Sequence, residues 1–109
     1  MTQTLLWLAQ RITAVILAVC VVVHLATIIY AVQGGLTAAE ILGRTRGNTA
    51  WLAFYSLFVF AAAIHAPIGL RPVLGEWLRW RGASREAFLI LFSVMLLATG
   101  MRAALAVFA

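Results

Sequence analysis

The run Phe60-Ala61-Ala62-Ala63-Ile64-His65-Ala66-Pro67-Ile68-Gly69-Leu70-Arg71 decides how this chain is read. It closes a strongly apolar stretch with one histidine and one arginine. The rest of the sequence has the same character: 109 residues, 65% hydrophobic, 10% charged, with a mean hydropathy of +1.07. An ordinary soluble domain is about half apolar, so the composition predicts an integral membrane protein. A bilayer-spanning helix takes about 20 apolar residues. Three runs meet that length, at about 11–32, 51–70 and 87–108. The expected fold class is therefore an all-α membrane protein with three transmembrane helices, forming a single transmembrane domain over 1–109. These runs leave no room for a soluble catalytic domain.

The net charge of +5 comes from eight Arg, with no Lys and no Asp, against Glu40, Glu76 and Glu86. In a soluble protein that balance would point to nucleic acid. Here the arginines gather at the ends of the apolar runs, where they set topology and meet anionic groups. There is no basic stripe of the kind that nucleic-acid binding requires. The single cysteine, Cys20, lies inside the first run, so no intrachain disulfide forms and a small packing residue is its expected role. The N-terminus lacks the basic region and cleavage site of a signal peptide, so the first run reads as a retained helix.

Residues 1–10 carry Leu5, Leu6, Trp7 and Leu8 and suit an amphipathic lead-in at the interface before Arg11 opens the first span. That span is interrupted by His24 and has Tyr30 near its far end, as an interfacial aromatic would. Gly34-Gly35 predicts a helix stop, and Thr37-Ala38-Ala39-Glu40 has the Thr-x-x-Glu pattern of a capping box. A short surface helix over about 38–42, ended by Gly43, is expected there. In the second span Pro67 has no amide hydrogen and releases the carbonyl of Ala63, predicting a local kink beside His65. Pro72 is expected to stop the helix after Arg71, leaving a polar loop over 71–86 with Trp77 and Trp80 at the interface. The third span is apolar except for Ser93, Thr99 and Arg102. Arg11, Arg71, Arg79, Arg81 and Arg85 lie on the N-terminal side, against Arg44, Arg46 and Arg102 on the other. That asymmetry predicts a cytoplasmic N-terminus.

A histidine inside a span is costly enough to be a functional candidate, although such side chains also form hydrogen bonds between helices. Here two spans each carry one, His24 and His65, which points to ligands. Neutral imidazole is the usual axial ligand of haem iron, and the four-residue spacing that would suggest zinc on one helix is absent. At about 1.5 Å per residue, His24 lies about 20 Å from Arg11, whereas His65 lies about 9 Å from Arg71 on the antiparallel helix. The two sit at different depths and make an awkward pair for one iron. Each is better suited to its own haem, with the second ligand coming from another chain or another copy of this one. Arg71 is placed for a haem propionate or a quinone carbonyl near His65. Arg102, about 24 Å into the third span, lies close to the level of His24 and would either meet a propionate there or snorkel to the far interface.

The pattern His65-x-x-x-Gly69-Leu70-Arg71, with Glu76 five residues later, resembles the second-helix signature of the cytochrome b membrane anchor subunits of succinate dehydrogenase and fumarate reductase. Gln10-Arg11-Ile12-Thr13 resembles that family's first-helix Arg-x-Ser/Thr motif, and three spans with the N-terminus inside fit as well. The resemblance covers essentially the whole chain. The sequence departs from the family's pattern at Trp7, where Ser is frequent, at Ala14, where Gly is usual, and at Glu76, where Asp is common.

The resemblance implies a non-catalytic subunit of a succinate:quinone oxidoreductase type complex in the cell inner membrane. Such a subunit holds a flavoprotein and an iron–sulfur subunit on the cytoplasmic face and passes electrons between the iron–sulfur subunit and the quinone pool. His65 would ligate haem b, Arg71 would meet a propionate or the quinone, and Arg11 with Thr13 would belong to the quinone site, near Trp77. The additional His24 resembles the di-haem branch, so one or two haems are expected, with a homodimer or a second anchor chain supplying the missing ligands. Two rival readings stand beside this one: a haem-free structural anchor, and a small multi-helix transporter or channel subunit. Against the transporter, no acidic residue lies inside a span.

Overall fold

The structure, a computed structural model, describes residues 2–109. It consists of four helices: α1 (Gln3–Gly34), α2 (Ala38–Thr45), α3 (Thr49–Trp77) and α4 (Ala83–Phe108), with no strand among the described residues. Three of them, α1, α3 and α4, are long and apolar enough to cross a membrane. Their 32, 29 and 26 residues correspond to about 48, 44 and 39 Å of helix. Each exceeds a hydrocarbon core of about 30 Å, long enough to span it even when tilted.

The long helices form an up-down-up bundle with α3 in the middle, packed against α1 on one flank and α4 on the other. The packing follows membrane logic, with small residues inside and large apolar residues facing out. Cys20, Ala61, Ala63 and Ala104 are buried, while Val15, Val22, Val32 and Ile90 are exposed. Gly100 lets α4 approach α3 closely, because a Cβ there would come within 2.6 Å of Val59 Cγ1. One end of the bundle holds the start of α1, the end of α3 and the start of α4, and is called the Arg71 end below. The opposite end carries α2.

Several expectations about helix ends are met. Gly34 ends α1, and Gly35 follows with φ +117°; a side chain at Gly35 would overlap the Glu40 carboxylate. The N-cap half of the capping box forms at α2, where the Glu40 amide donates to Thr37 Oγ1 at 3.2 Å, while the Glu40 carboxylate accepts from the Thr37 hydroxyl, at 2.7 Å, in place of its backbone amide.

Others are corrected. The lead-in over 1–10 is not a separate interfacial segment, since α1 begins at Gln3 behind an N-cap from Thr2 and continues without a break. No Gly or Pro interrupts the hydrogen-bond ladder between Gln3 and Arg11. Helix α2 passes through Gly43 to Thr45, and the chain turns instead at Gly47, which has φ +69°. Helix α3 also passes through Pro72, to Trp77, so the expected loop over 71–86 shrinks to the five residues between α3 and α4. A proline removes one amide, but the following turn buries Leu74 and Gly75, and this packing carries the helix onward. Helix α3 stops only where Arg79 adopts φ +54° and the amides of Leu78 and Trp80 both donate to Leu74 O, at 3.2 and 3.0 Å. Arginine thus takes the left-handed position that glycine usually fills after a helix end, and the amide that follows it closes back on the last turn of α3.

At the opposite end α2 lies across the bundle and satisfies carbonyls that a helix C-terminus leaves unpaired. Thr45 Oγ1 and the Gly47 amide donate to the carbonyls of Val107 and Phe108, both at 2.8 Å, and Arg46 Nε donates to Ala109 O at 2.8 Å. Arg44 Nη2 donates to Gly35 O at 2.8 Å and its guanidinium lies over the Tyr30 ring. Both arginines therefore complement the negative ends of α1 and α4.

Candidate functional site

Helical spacing puts Tyr55, Phe58, His65 and Gly69 on one stripe of α3, and antiparallel packing sets α1 against it in reverse order. His24 meets the rings of Tyr55 and Phe58 edge-on, with centroids at 6.0 and 5.7 Å. Thr13 Oγ1 lies 3.1 Å from His65 Nδ1. Gln10 faces Gly69, where a Cβ would stand 3.1 Å from the amide nitrogen. His24 thus packs seven to ten residues from His65 along α3, about 10–15 Å, and the two imidazoles occupy different levels.

Thr13 is the only buried polar residue among those described, 6% exposed. Its hydroxyl oxygen lies 2.7 Å from Ala9 O and 3.2 Å from Gln10 O, besides its contact with His65. His65 itself is half-buried, and its Nε2 has no hydrogen-bond partner among the described residues.

Arg71 lies on a different face of α3 and looks toward α4. Its Nε donates to Glu86 Oε1 at 3.0 Å, and the same oxygen accepts from Arg85 Nη2 at 3.0 Å. The carboxylate that meets Arg71 is therefore Glu86, in the first turn of α4; Glu76, the acid in the sequence pattern, is exposed. Two contiguous cavities open beside this cluster. One, of about 440 Å³, is lined by Gln3, Trp7, Gln10, Gly69 and Arg85 among others. The second, of about 560 Å³, runs inward along Ala63, Ile64, Pro67 and Ile90 to Ser93. Leu6, Ile68 and Arg71 line both. The pair forms a polar mouth leading into an apolar slot, a shape suited to an amphipathic ligand. In the wall of the second cavity Ser93 Oγ donates to Ala63 O at 2.6 Å, taking up the carbonyl that Pro67 frees.

At the α2 end His24 lines two further cavities, of about 500 and 800 Å³. The smaller is closed by Ile41 and Thr45 of α2 and by Leu96, Gly100 and Ala104 of α4.

Of the seven residues singled out in the sequence, the fold brings Thr13 and His65 together and sets Arg71 toward the same end of the bundle, on a different face of α3. Arg11 is exposed on the outer side of α1, its guanidinium 5.1 Å from the Trp7 ring centroid. Trp77, the last residue of α3, is 81% exposed. Arg102 is exposed and lines neither His24 cavity. Gln10, Arg85, Glu86 and Ser93 were not singled out. Gln10 was legible, being three residues from Thr13 on one helical face. Glu86 and Ser93 lie on another helix, and no local pattern couples them to α3.

The fold and this site define a class: a three-span, all-α membrane protein with a histidine held between two helices near an arginine-rich end. Within it, the family model described as the succinate dehydrogenase/fumarate reductase transmembrane subunit matches residues 1–101, and the chain belongs to that family. No individual curated protein and no solved structure is significantly similar to it. Membership implies a multi-pass membrane subunit that associates with the catalytic subunits of succinate dehydrogenase or fumarate reductase.

Proposed function

We propose that this chain is the haem b and quinone-binding anchor of its complex, holding the flavoprotein and iron–sulfur subunits on the cytoplasmic face of the inner membrane. It passes electrons between the iron–sulfur subunit and the quinone pool. The observation that carries this reading is the environment of His65. One ring nitrogen is engaged by Thr13 and the other has no hydrogen-bond partner among the described residues, the division of roles that a metal-ligating imidazole needs. A b-type haem bound there supplies a one-electron relay. A haem held by His65 would take its other protein ligand from a second anchor chain or a second copy, since no other histidine of this chain lies at that level.

The two contiguous cavities at Arg71 suit a quinone, with the ring at the polar mouth and the isoprenoid tail in the apolar slot. Arg71 spends Nε on Glu86, which leaves its terminal nitrogens as donors to a quinone carbonyl or a propionate. Arg11 and Trp77, both exposed at this end, join the site only where a docked subunit covers them. His24, with Arg102 near its level, is the candidate for a second haem at the α2 end.

The test is a reduced-minus-oxidised absorption spectrum of the purified complex. Loss of one haem's share of the b-type band in His65→Ala is expected, and a band of unchanged intensity in that variant overturns the assignment. A second reading has one observation in its favour, because the Thr13–His65 contact also serves as a tie between helices. That haem-free anchor would show no b-type band in the wild-type complex while quinone reduction continues.

A further inference from the structure

We infer that Thr13 is a positioning residue for His65, fixing its tautomer and ring orientation so that Nε2 is the one nitrogen left to bind a metal. The inference rests on the haem reading for its purpose, but its geometry is that of the protein alone.

A threonine hydroxyl has one hydrogen and two lone pairs. Thr13 Oγ1 lies 2.7 Å from Ala9 O and 3.2 Å from Gln10 O, and both are carbonyls that can only accept. The shortest contact, to Ala9 O, takes the hydroxyl hydrogen, the usual arrangement for threonine within a helix. Toward His65 Nδ1, 3.1 Å away, the oxygen can only accept. Nδ1 must then carry the hydrogen. A neutral imidazole has a single N–H, so Nε2 is left with a bare lone pair.

Two features make this arrangement stiff. Thr13 is β-branched, which restricts its rotamers in a helix, and at 6% exposure it has little access to competing water. The residue also lines neither of the cavities at Arg71. In the first-helix motif, then, Thr13 acts through His65 rather than on the quinone. A donor bond from Nδ1 raises the basicity of the coordinating nitrogen, and losing such an outer contact weakens metal affinity about 10- to 100-fold.

The decisive measurement is the histidine ¹⁵N NMR spectrum of the full chain in lipid nanodiscs, with His24→Gln used to assign the His65 signals. Wild type is expected to show Nδ1 protonated and Nε2 bare. In Thr13→Val the fixed tautomer is lost, and in Thr13→Ser it is retained. A wild-type spectrum with the hydrogen on Nε2 overturns the inference, as does a Thr13→Val spectrum identical to wild type. If Thr13→Val fails to fold, the wild-type tautomer and Thr13→Ser still decide. In the assembled complex Thr13→Val should lower haem retention about tenfold or more and raise the haem midpoint potential, with Thr13→Ser restoring both. A wild-type complex without haem defeats the haem reading and leaves the tautomer result standing. A haem-loaded Thr13→Val complex with unchanged retention and potential defeats the positioning role and leaves the haem reading intact.

Discussion

Gln10 carries a buried amide oxygen with no partner among the described residues. A buried acceptor left unpaired costs about 1–3 kcal/mol, and the chain keeps room for this amide by having glycine at position 69. The side chain also lines the polar mouth next to Arg71 and Arg85, so its retention reads as provision for a ligand. Gln10→Leu, of similar volume and without the polar atoms, is therefore expected to stabilise the isolated anchor by about 1–3 kcal/mol and to weaken quinone turnover in the complex. Thermal unfolding in detergent checks the first effect and quinone-reductase kinetics the second. A destabilised Gln10→Leu would mean that the amide is bonded after all.

Between elements, the contact from Ser93 to Ala63 is the clearest energetic link of α3 to α4. Pro67 removes the amide that would have bonded the Ala63 carbonyl, and Ser93 Oγ replaces it from the neighbouring helix at 2.6 Å. In a membrane such a bond between helices contributes about 1 kcal/mol. Ser93→Ala should lower stability by about that amount in the wild-type background. In a Pro67→Ala background, where α3 can bond its own carbonyl, the same substitution should have almost no effect. A double-mutant cycle followed by chemical unfolding measures the coupling, and equal losses in both backgrounds would refute it. The close approach of Gly100 to Val59 lies on the same interface, and with Ala104 it forms the small-x-x-x-small spacing that lets membrane helices meet closely.

For the whole molecule the arginines set the expected orientation. Arg11, Arg71, Arg79, Arg81 and Arg85 lie at one end, together with the loop between α3 and α4, while Arg44 and Arg46 lie at the other, bonded to helix carbonyls. The positive-inside rule then predicts the Arg71 end in the cytoplasm, where the catalytic subunits dock under the proposed function. Cys20 is 2% exposed, so in a Cys20→Ser background single cysteines report topology cleanly. In intact cells Gly43→Cys should react with a membrane-impermeant maleimide and Arg81→Cys should not. The reverse pattern would invert the molecule.

The sequence by itself determined that this is a three-span helical membrane protein, that helices stop at Gly34-Gly35 and begin behind Thr37, that Pro67 frees a carbonyl, and that His24 and His65 lie at different depths. These are properties of one helix at a time: composition fixes the solvent, capping is local, and depth adds about 1.5 Å per residue. Only the tertiary structure decided which side chains converge. Arg11 and Thr13 belong to one short motif, yet they are about 200° apart around α1, so one faces outward and the other reaches His65. Arg71 finds Glu86 rather than the nearer Glu76, Ser93 takes the freed carbonyl, and α3 outruns Pro72 because Leu74 and Gly75 are buried beyond it. Rotation about a helix axis and register between helices are set by where small residues such as Gly100 allow two backbones to meet. No single helix carries that information alone.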